Sequence, residues 1–151
     1  SYSGCFLPRA RKKDELRISP NFDTRIVSIT ECPGLNPQYL ICAVENGAKA
    51  IILRSFGAGD PQSSLLEPFR ILREQKVPII ITTQIPNGRA TGKVNEPGMQ
   101  SGHHGVVFVN DMSMEAMYVK LAWLLGNSYP FERIQREMIR PLKCEISQFS
   151  E

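Results

Sequence analysis

Apolar residues along this chain follow two rhythms. Short continuous runs recur at Arg25-Ile-Val-Ser-Ile-Thr30, Ala50-Ile-Ile-Leu-Arg54, Pro78-Ile-Ile-Ile-Thr-Thr83 and Val106-Val-Phe-Val109. Their length and β-branched content predict buried parallel strands. Between them the spacing becomes helical. Leu40, Ile41 and Val44 form one stripe, opened by Asn36 and Pro37 and closed by Gly47. A second helix is predicted from about Leu65 to Gln75, with Ser64 and Glu67 in capping-box spacing and Pro68 in its first turn. Ser113 opens the most regular pattern, Met114, Met117, Tyr118, Leu121, Leu124 and Leu125, which Gly126 ends. A last helix starts near Pro130 and stops before Pro141. Segment 85–104 has glycines and prolines but no periodicity, so it is expected to be a long loop.

Strands alternating with helices predict an α/β domain. The expected architecture is a small Rossmann-like three-layer domain, with a four-stranded parallel sheet flanked by about four helices. Residues 1–24 are polar, basic and aperiodic, and are expected to be a linker or the remnant of a missing N-terminal domain. The α/β domain then occupies residues 25–151.

Composition narrows the function classes. A chain of 151 residues, 42% hydrophobic, holds one domain with a real core. A net charge of +3 gives no field strong enough to imply nucleic-acid binding. Arg9, Arg11, Lys12 and Lys13 read as a solvated segment or as a basic arm. No apolar stretch approaches the roughly 18–20 residues of a membrane span, and Cys5-Phe-Leu is too short for a signal-peptide core. The four cysteines, Cys5, Cys32, Cys42 and Cys144, form no CxxC pair. They are expected to be free thiols in a reducing compartment, which places the protein in the cytoplasm.

Candidate chemistry gathers where two strands run into polar turns. Ala50 to Arg54 enters Ser55-Phe-Gly-Ala-Gly-Asp60, and the run from Val77 to Gln84 enters Ile85-Pro-Asn-Gly88. Open α/β sheets bind ligands just beyond the carboxyl ends of their strands, so Arg54, Asp60, Thr83 and Gln84 are the candidate residues. Arg54 ends an apolar run, where a guanidinium is expensive unless paired. Its partner is a protein carboxylate or a ligand's. The Thr83 hydroxyl is placed to donate to a ligand, or Thr83 is simply a β-branched strand residue. Asp60 is a turn residue and helix cap, or a carboxylate facing a cleft.

Other motifs fall short. Gly57-Ala-Gly59 lacks the third glycine of the dinucleotide fingerprint. Gly88-Arg-Ala-Thr-Gly92-Lys93 is one residue short of a P-loop, with Val94 in place of the magnesium-binding hydroxyl. His103-His104 has no second ligand pair at metal-binding spacing. No cofactor, metal or catalytic triad is expected.

Taken together, these motifs resemble the C-terminal domain of cytoplasmic (type I) L-asparaginases. Leu53-Arg-Ser-Phe-Gly-Ala-Gly-Asp60 is similar to their Arg-Ser-Tyr-Gly-x-Gly-Asn turn, and Thr83-Gln84 to their Thr-Gln-Cys. Asp111-Met-Ser-Met-Glu-Ala and Lys120-Leu-Ala-Trp-Leu-Leu resemble their Asp-Met-Thr-x-Glu-Ala…Lys-Leu…Leu-Leu helix. The resemblance covers roughly residues 25–147. It implies a hydrolase of asparagine to aspartate and ammonia whose nucleophilic threonine lies in an N-terminal domain. This chain is then expected to hold no catalytic residue itself and to be inactive alone. The implied partners are L-asparagine or a related amino acid, the N-terminal catalytic domain, and further subunits in a homodimer or dimer of dimers.

The resemblance also implies roles. Asp60 matches an asparagine that reaches a neighbouring subunit's active site. Arg54, Thr83 and Gln84 match a regulatory amino-acid site of bacterial type I enzymes. Ile85 stands in place of the usual cysteine, and Asn95 where many relatives have tyrosine. The helix pattern Val119-Lys-Leu-Ala-Trp-Leu-Leu-Gly also resembles the D subunit of archaeal glutamyl-tRNA amidotransferase. A stand-alone amino-acid-binding module is the alternative of a different class.

Overall fold

The computed structural model of the chain describes residues 18–147. Cys5 and the basic cluster from Arg9 to Lys13 lie outside the described residues. Four strands, β1 (Ile26–Thr30), β2 (Ala50–Ser55), β3 (Ile79–Thr83) and β4 (Val107–Phe108), pair in that order and all in parallel. β2 and β3 carry unbroken apolar runs because both of their faces are covered. β1 is half-exposed, as an edge strand is.

Alternation along the strands builds two cores. Ala50, Ile52, Ile80 and Val107 point to one face. There they meet Met117, Leu121 and Leu124 of α4 (Met114–Gly126), and Ile134 and Met138 of α5 (Phe131–Ile139). Ile51, Leu53, Ile79 and Ile81 point to the other, where they meet Leu40 of α1 (Gln38–Glu45) and Phe69 and Leu72 of α2 (Leu66–Glu74). A strand order that follows the sequence, joined by right-handed crossovers, leaves the connecting helices on one side. The last two helices then close the opposite side and complete three layers.

Helix ends follow local chemistry in part. Ser113 accepts the Ala116 N–H at 3.3 Å and caps α4. Asn36 accepts the Gln38 N–H at 3.0 Å. The expected capping box at Ser64 and Glu67 does not form. A 3-10 turn at Ser63–Leu65 precedes α2, and Glu67 instead accepts from Arg70 at 2.7 and 3.0 Å.

Two further expectations are corrected. Segment 85–104 is not loop throughout, because α3 (Glu96–His103) lies within it and makes a fifth helix. Cys144 is disulfide-bonded, whereas Cys32 and Cys42 are free thiols.

The end of α4 is a junction. The Asp23 N–H donates to the Ala122 carbonyl at 2.9 Å, and Asn127 Nδ2 donates to the Asn21 carbonyl at 3.1 Å. Gly126 permits this approach, since a Cβ there would lie 2.5 Å from the Asn21 oxygen. On the other side, the buried Lys120 ammonium donates to the carbonyls of Met138 (3.1 Å) and Arg140 (2.5 Å) and to Glu145 (2.6 Å). Among the described residues no helix is long and apolar enough to cross a membrane.

Candidate functional site

Strand register decides which polar side chains share a face. Arg54 and Thr82 are register partners on β2 and β3. They continue the parity of Ile52 and Ile80, so they face the N-terminus of α4. Ser55 and Thr83 take the opposite parity. A cleft of about 570 Å³ opens at this carboxyl edge, and Arg54, Thr82, Thr83, Gln84, Asp111 and Ser113 are among its walls.

Each of these groups has a defined state. The Arg54 guanidinium is half-buried and has no hydrogen-bond or ion-pair partner among the described residues. Gln84 donates from its amide nitrogen to the Glu31 carbonyl at 2.6 Å and the Arg54 carbonyl at 3.0 Å. Both amide hydrogens are used, and the side-chain oxygen is what Gln84 has left to offer. The Thr83 hydroxyl donates to the Gly57 carbonyl at 2.6 Å and accepts the Ile85 N–H at 3.0 Å. Its single proton is given to the protein in this structure. It acts as a tether between the two polar turns. Burial opposes charge on Asp111, but hydrogen bonding from Ser147 and the nearby Arg89 charge outweigh it and hold the carboxyl below its usual range.

Asp60 lies elsewhere. It lines a second, shallower cleft of about 490 Å³ with Phe56, Gln62, Asn95 and Glu96. Its Oδ1 accepts the Asn95 N–H at 3.3 Å, at the N-terminus of α3. A negative charge is favourable there. Gly98 makes the approach possible, because a Cβ on it would lie 2.7 Å from that oxygen. Arg54, Thr83 and Gln84 thus come together in one cleft, and Asp60 does not join them.

Glu31 escaped the sequence reading. It follows β1, is 1% exposed, and accepts the Ser55 hydroxyl and the Gln62 N–H, the latter at 2.6 Å. Its carbonyl takes the Gln84 amide at 2.6 Å. One residue thereby braces the ends of β1, β2 and β3 and the turn that carries Asp60. The available signal was parity: Glu31 continues the pattern that faces Ser55.

The remaining motifs are absorbed by the fold. Gly57 and Gly59 have positive φ (48° and 85°) within the tight turn that pairs Phe56 with Asp60. Gly92 (φ 61°) lies under the Phe108 ring, where a Cβ would come within 2.3 Å of a ring carbon. The His103 carbonyl accepts from Arg73 at 2.6 Å. Among the described residues, no group of three or more His, Cys, Asp or Glu is placed to hold a metal.

Similarity to known proteins decides the family. The profile of the glutaminase/asparaginase C-terminal domain matches residues 25–138. The chain belongs to this family. Both clefts fall inside the matched span. Among curated relatives, the D subunit of glutamyl-tRNA(Gln) amidotransferase from Aeropyrum pernix is 30% identical over 140 residues, 93% of this chain and 33% of that protein. The corresponding D subunit from Methanococcus maripaludis (strain C6) is 33% identical over 137 residues, 91% of this chain and 32% of that protein. Among solved structures, the thermostable L-asparaginase from Thermococcus kodakarensis matches with a TM-score of 0.81 and 31% identity, over 86% of this chain and 40% of that one. L-asparaginase I from Vibrio cholerae matches with a TM-score of 0.83 and 25% identity, over 92% and 42%. The chain spans about a third of the length of the curated relatives it matches.

Proposed function

We propose that this asparaginase-family domain serves an amidohydrolase that converts L-asparagine to aspartate and ammonia. In this reading an N-terminal domain brings the nucleophilic threonine, and the present chain completes or regulates that site. In this reading the domain spans 25–151, with the preceding Asn21 and Asp23 bonded to the end of α4. The observation that carries the reading is the Arg54 guanidinium in the cleft at the strand ends, within the family span and without a partner among the described residues. A guanidinium fits a carboxylate with two parallel hydrogen bonds. The Gln84 oxygen and the ionised Asp111 supply acceptors for an ammonium. An α-amino acid carries both complements. The cleft is then an amino-acid site, and the Asp60 turn is the contact to a neighbouring protomer of a homodimer or dimer of dimers. Asp60, ionised, can only accept hydrogen bonds, so its contact is to an ammonium or amide N–H.

Titration calorimetry of the chain with L-asparagine, L-aspartate and L-glutamine tests this. Binding to the wild type that is lost in Arg54→Ala supports the amino-acid site. Absence of binding for all three ligands sinks it. The amidotransferase D subunits among the curated relatives support a second reading, in which the parent protein releases ammonia from glutamine for an amidotransferase. Ammonia release by the parent protein from asparagine against glutamine separates the two.

A further inference from the structure

We propose that Thr82, rather than Thr83, supplies the hydroxyl that binds the ligand in the Arg54 cleft, an inference that rests on reading that cleft as an amino-acid site. Thr82 lies at the end of β3, directly across from Arg54 in the sheet register. Paired positions on adjacent strands stand about 4.8 Å apart with their side chains on the same face. Thr82 is 6% exposed and is one of the residues lining the cleft. Its hydroxyl makes no hydrogen bond with any described residue. No fully buried side-chain oxygen among those residues lacks a partner, so this oxygen opens into the cleft. A hydroxyl that opens into the cleft is met by water until a ligand takes the water's place. Valine has the same shape and suits a strand equally well, so the strand itself does not require the hydroxyl. The Thr82 hydroxyl is thus spare for the fold and available to a ligand. The neighbouring hydroxyl of Thr83 is not available, since its proton goes to the Gly57 carbonyl. The geometry assigns Thr82 as the third donor to the carboxylate that Arg54 holds. It is a specificity residue: a ligand with an amide in place of that carboxylate keeps a carbonyl acceptor for Thr82 but loses the charge that strengthens the bond.

The test compares Thr82→Val, Thr82→Ser and Arg54→Ala in the full chain. Calorimetry with L-asparagine and L-aspartate reads affinity, and thermal melts without ligand read stability. Thr82→Val is expected to lose about tenfold or more in affinity, the size of a hydrogen bond to a charged group. Its melting temperature stays equal or rises, and Thr82→Ser binds close to wild type. Wild-type affinity in Thr82→Val, with binding lost in Arg54→Ala, overturns this proposal and leaves the amino-acid site standing. No binding by the wild type overturns both. A Thr82→Val protein that melts well below wild type also overturns it, because the hydroxyl then has a structural partner.

Discussion

A guanidinium at the end of a buried strand is normally tolerated only when paired, and Arg54 has no partner among the described residues. Truncating it should therefore not harm the fold. Arg54→Met is expected to unfold in urea within about 0.5 kcal/mol of wild type, the range of substitutions that break no contact. A loss of more than about 2 kcal/mol would mean that the guanidinium is structural. Glu31 is the opposite case. Its carboxylate takes the Ser55 hydroxyl and the Gln62 N–H in the buried edge of the sheet. Glu31→Ala leaves both donors unmet and should cost about 3 kcal/mol. Glu31→Gln keeps an acceptor for Gln62, and Ser55 can turn to accept, so most of that loss should return. Arg54 and Gln84 were legible because each ends an apolar run. The tie from the Thr83 hydroxyl to the Gly57 carbonyl was not, since that carbonyl lies 26 residues away. Glu31 was hidden for the same reason, with partners 24 and 31 residues distant.

Among the elements, α3 shows how propensity misleads. Gly98 and Gly102 disfavour a helix by composition, and only Gly98 and Ser101 are buried, so no apolar stripe announces it. What holds it is tertiary: the Asp60 carboxylate at its first turn, and contact with α2. Gly98→Ala should gain about 1 kcal/mol by helix propensity alone. The added Cβ would lie 2.7 Å from Asp60 Oδ1 and 3.0 Å from the Gly92 carbonyl oxygen. The clash is expected to win, with urea melts showing a net loss of about 1–2 kcal/mol. A stabilised variant would show that Asp60 does not seat α3. The segment after α5 makes a different prediction. Burial pushes the Glu145 carboxyl up, but Lys120 and the N–H groups of Lys143 and Leu142 outweigh it and hold the carboxyl at about 2. A lowered carboxylate pKa gives stability that is present above the ordinary value of 4.5 and lost as pH falls through 2. Stability should therefore fall from about pH 4.5 downward, in part through this group. Lys120→Met removes the counter-charge and should flatten that part of the acid profile, while lowering stability at pH 7 by about 3 kcal/mol. An acid profile identical to wild type would rule out the pair as its source.

For the molecule as a whole, the layered architecture was legible because apolar runs and helical stripes alternate over most of the chain. The assignment of helices to faces needed the observed strand order. That order makes β2 and β3 the shared wall of two cores, Ile52 and Ile80 on one side and Ile51 and Ile81 on the other. Neither core can be lost without exposing the reverse face of the same strands, so both should unfold in one transition. The chain carries one tryptophan, and Trp123 packs against the core built by α4 and α5. Leu72 is fully buried in the other core, on α2. Leu72→Ala should cost about 3 kcal/mol, the usual range for such a truncation. Because the sheet transmits that loss, the urea midpoint read by Trp123 fluorescence should fall by the same amount as the midpoint read by far-UV circular dichroism. A Trp123 midpoint left at its wild-type value would show that the α4 and α5 layer unfolds independently. The carboxyl edge that holds the Arg54 cleft draws side chains from both layers, Thr83 and Gln84 from the strands and Asp111 and Ser113 from the approach to α4. Its geometry therefore survives only while the two layers stay joined. If the cleft is the amino-acid site proposed above, binding in Leu72→Ala should vanish at the urea concentration where Trp123 reports unfolding, and not before.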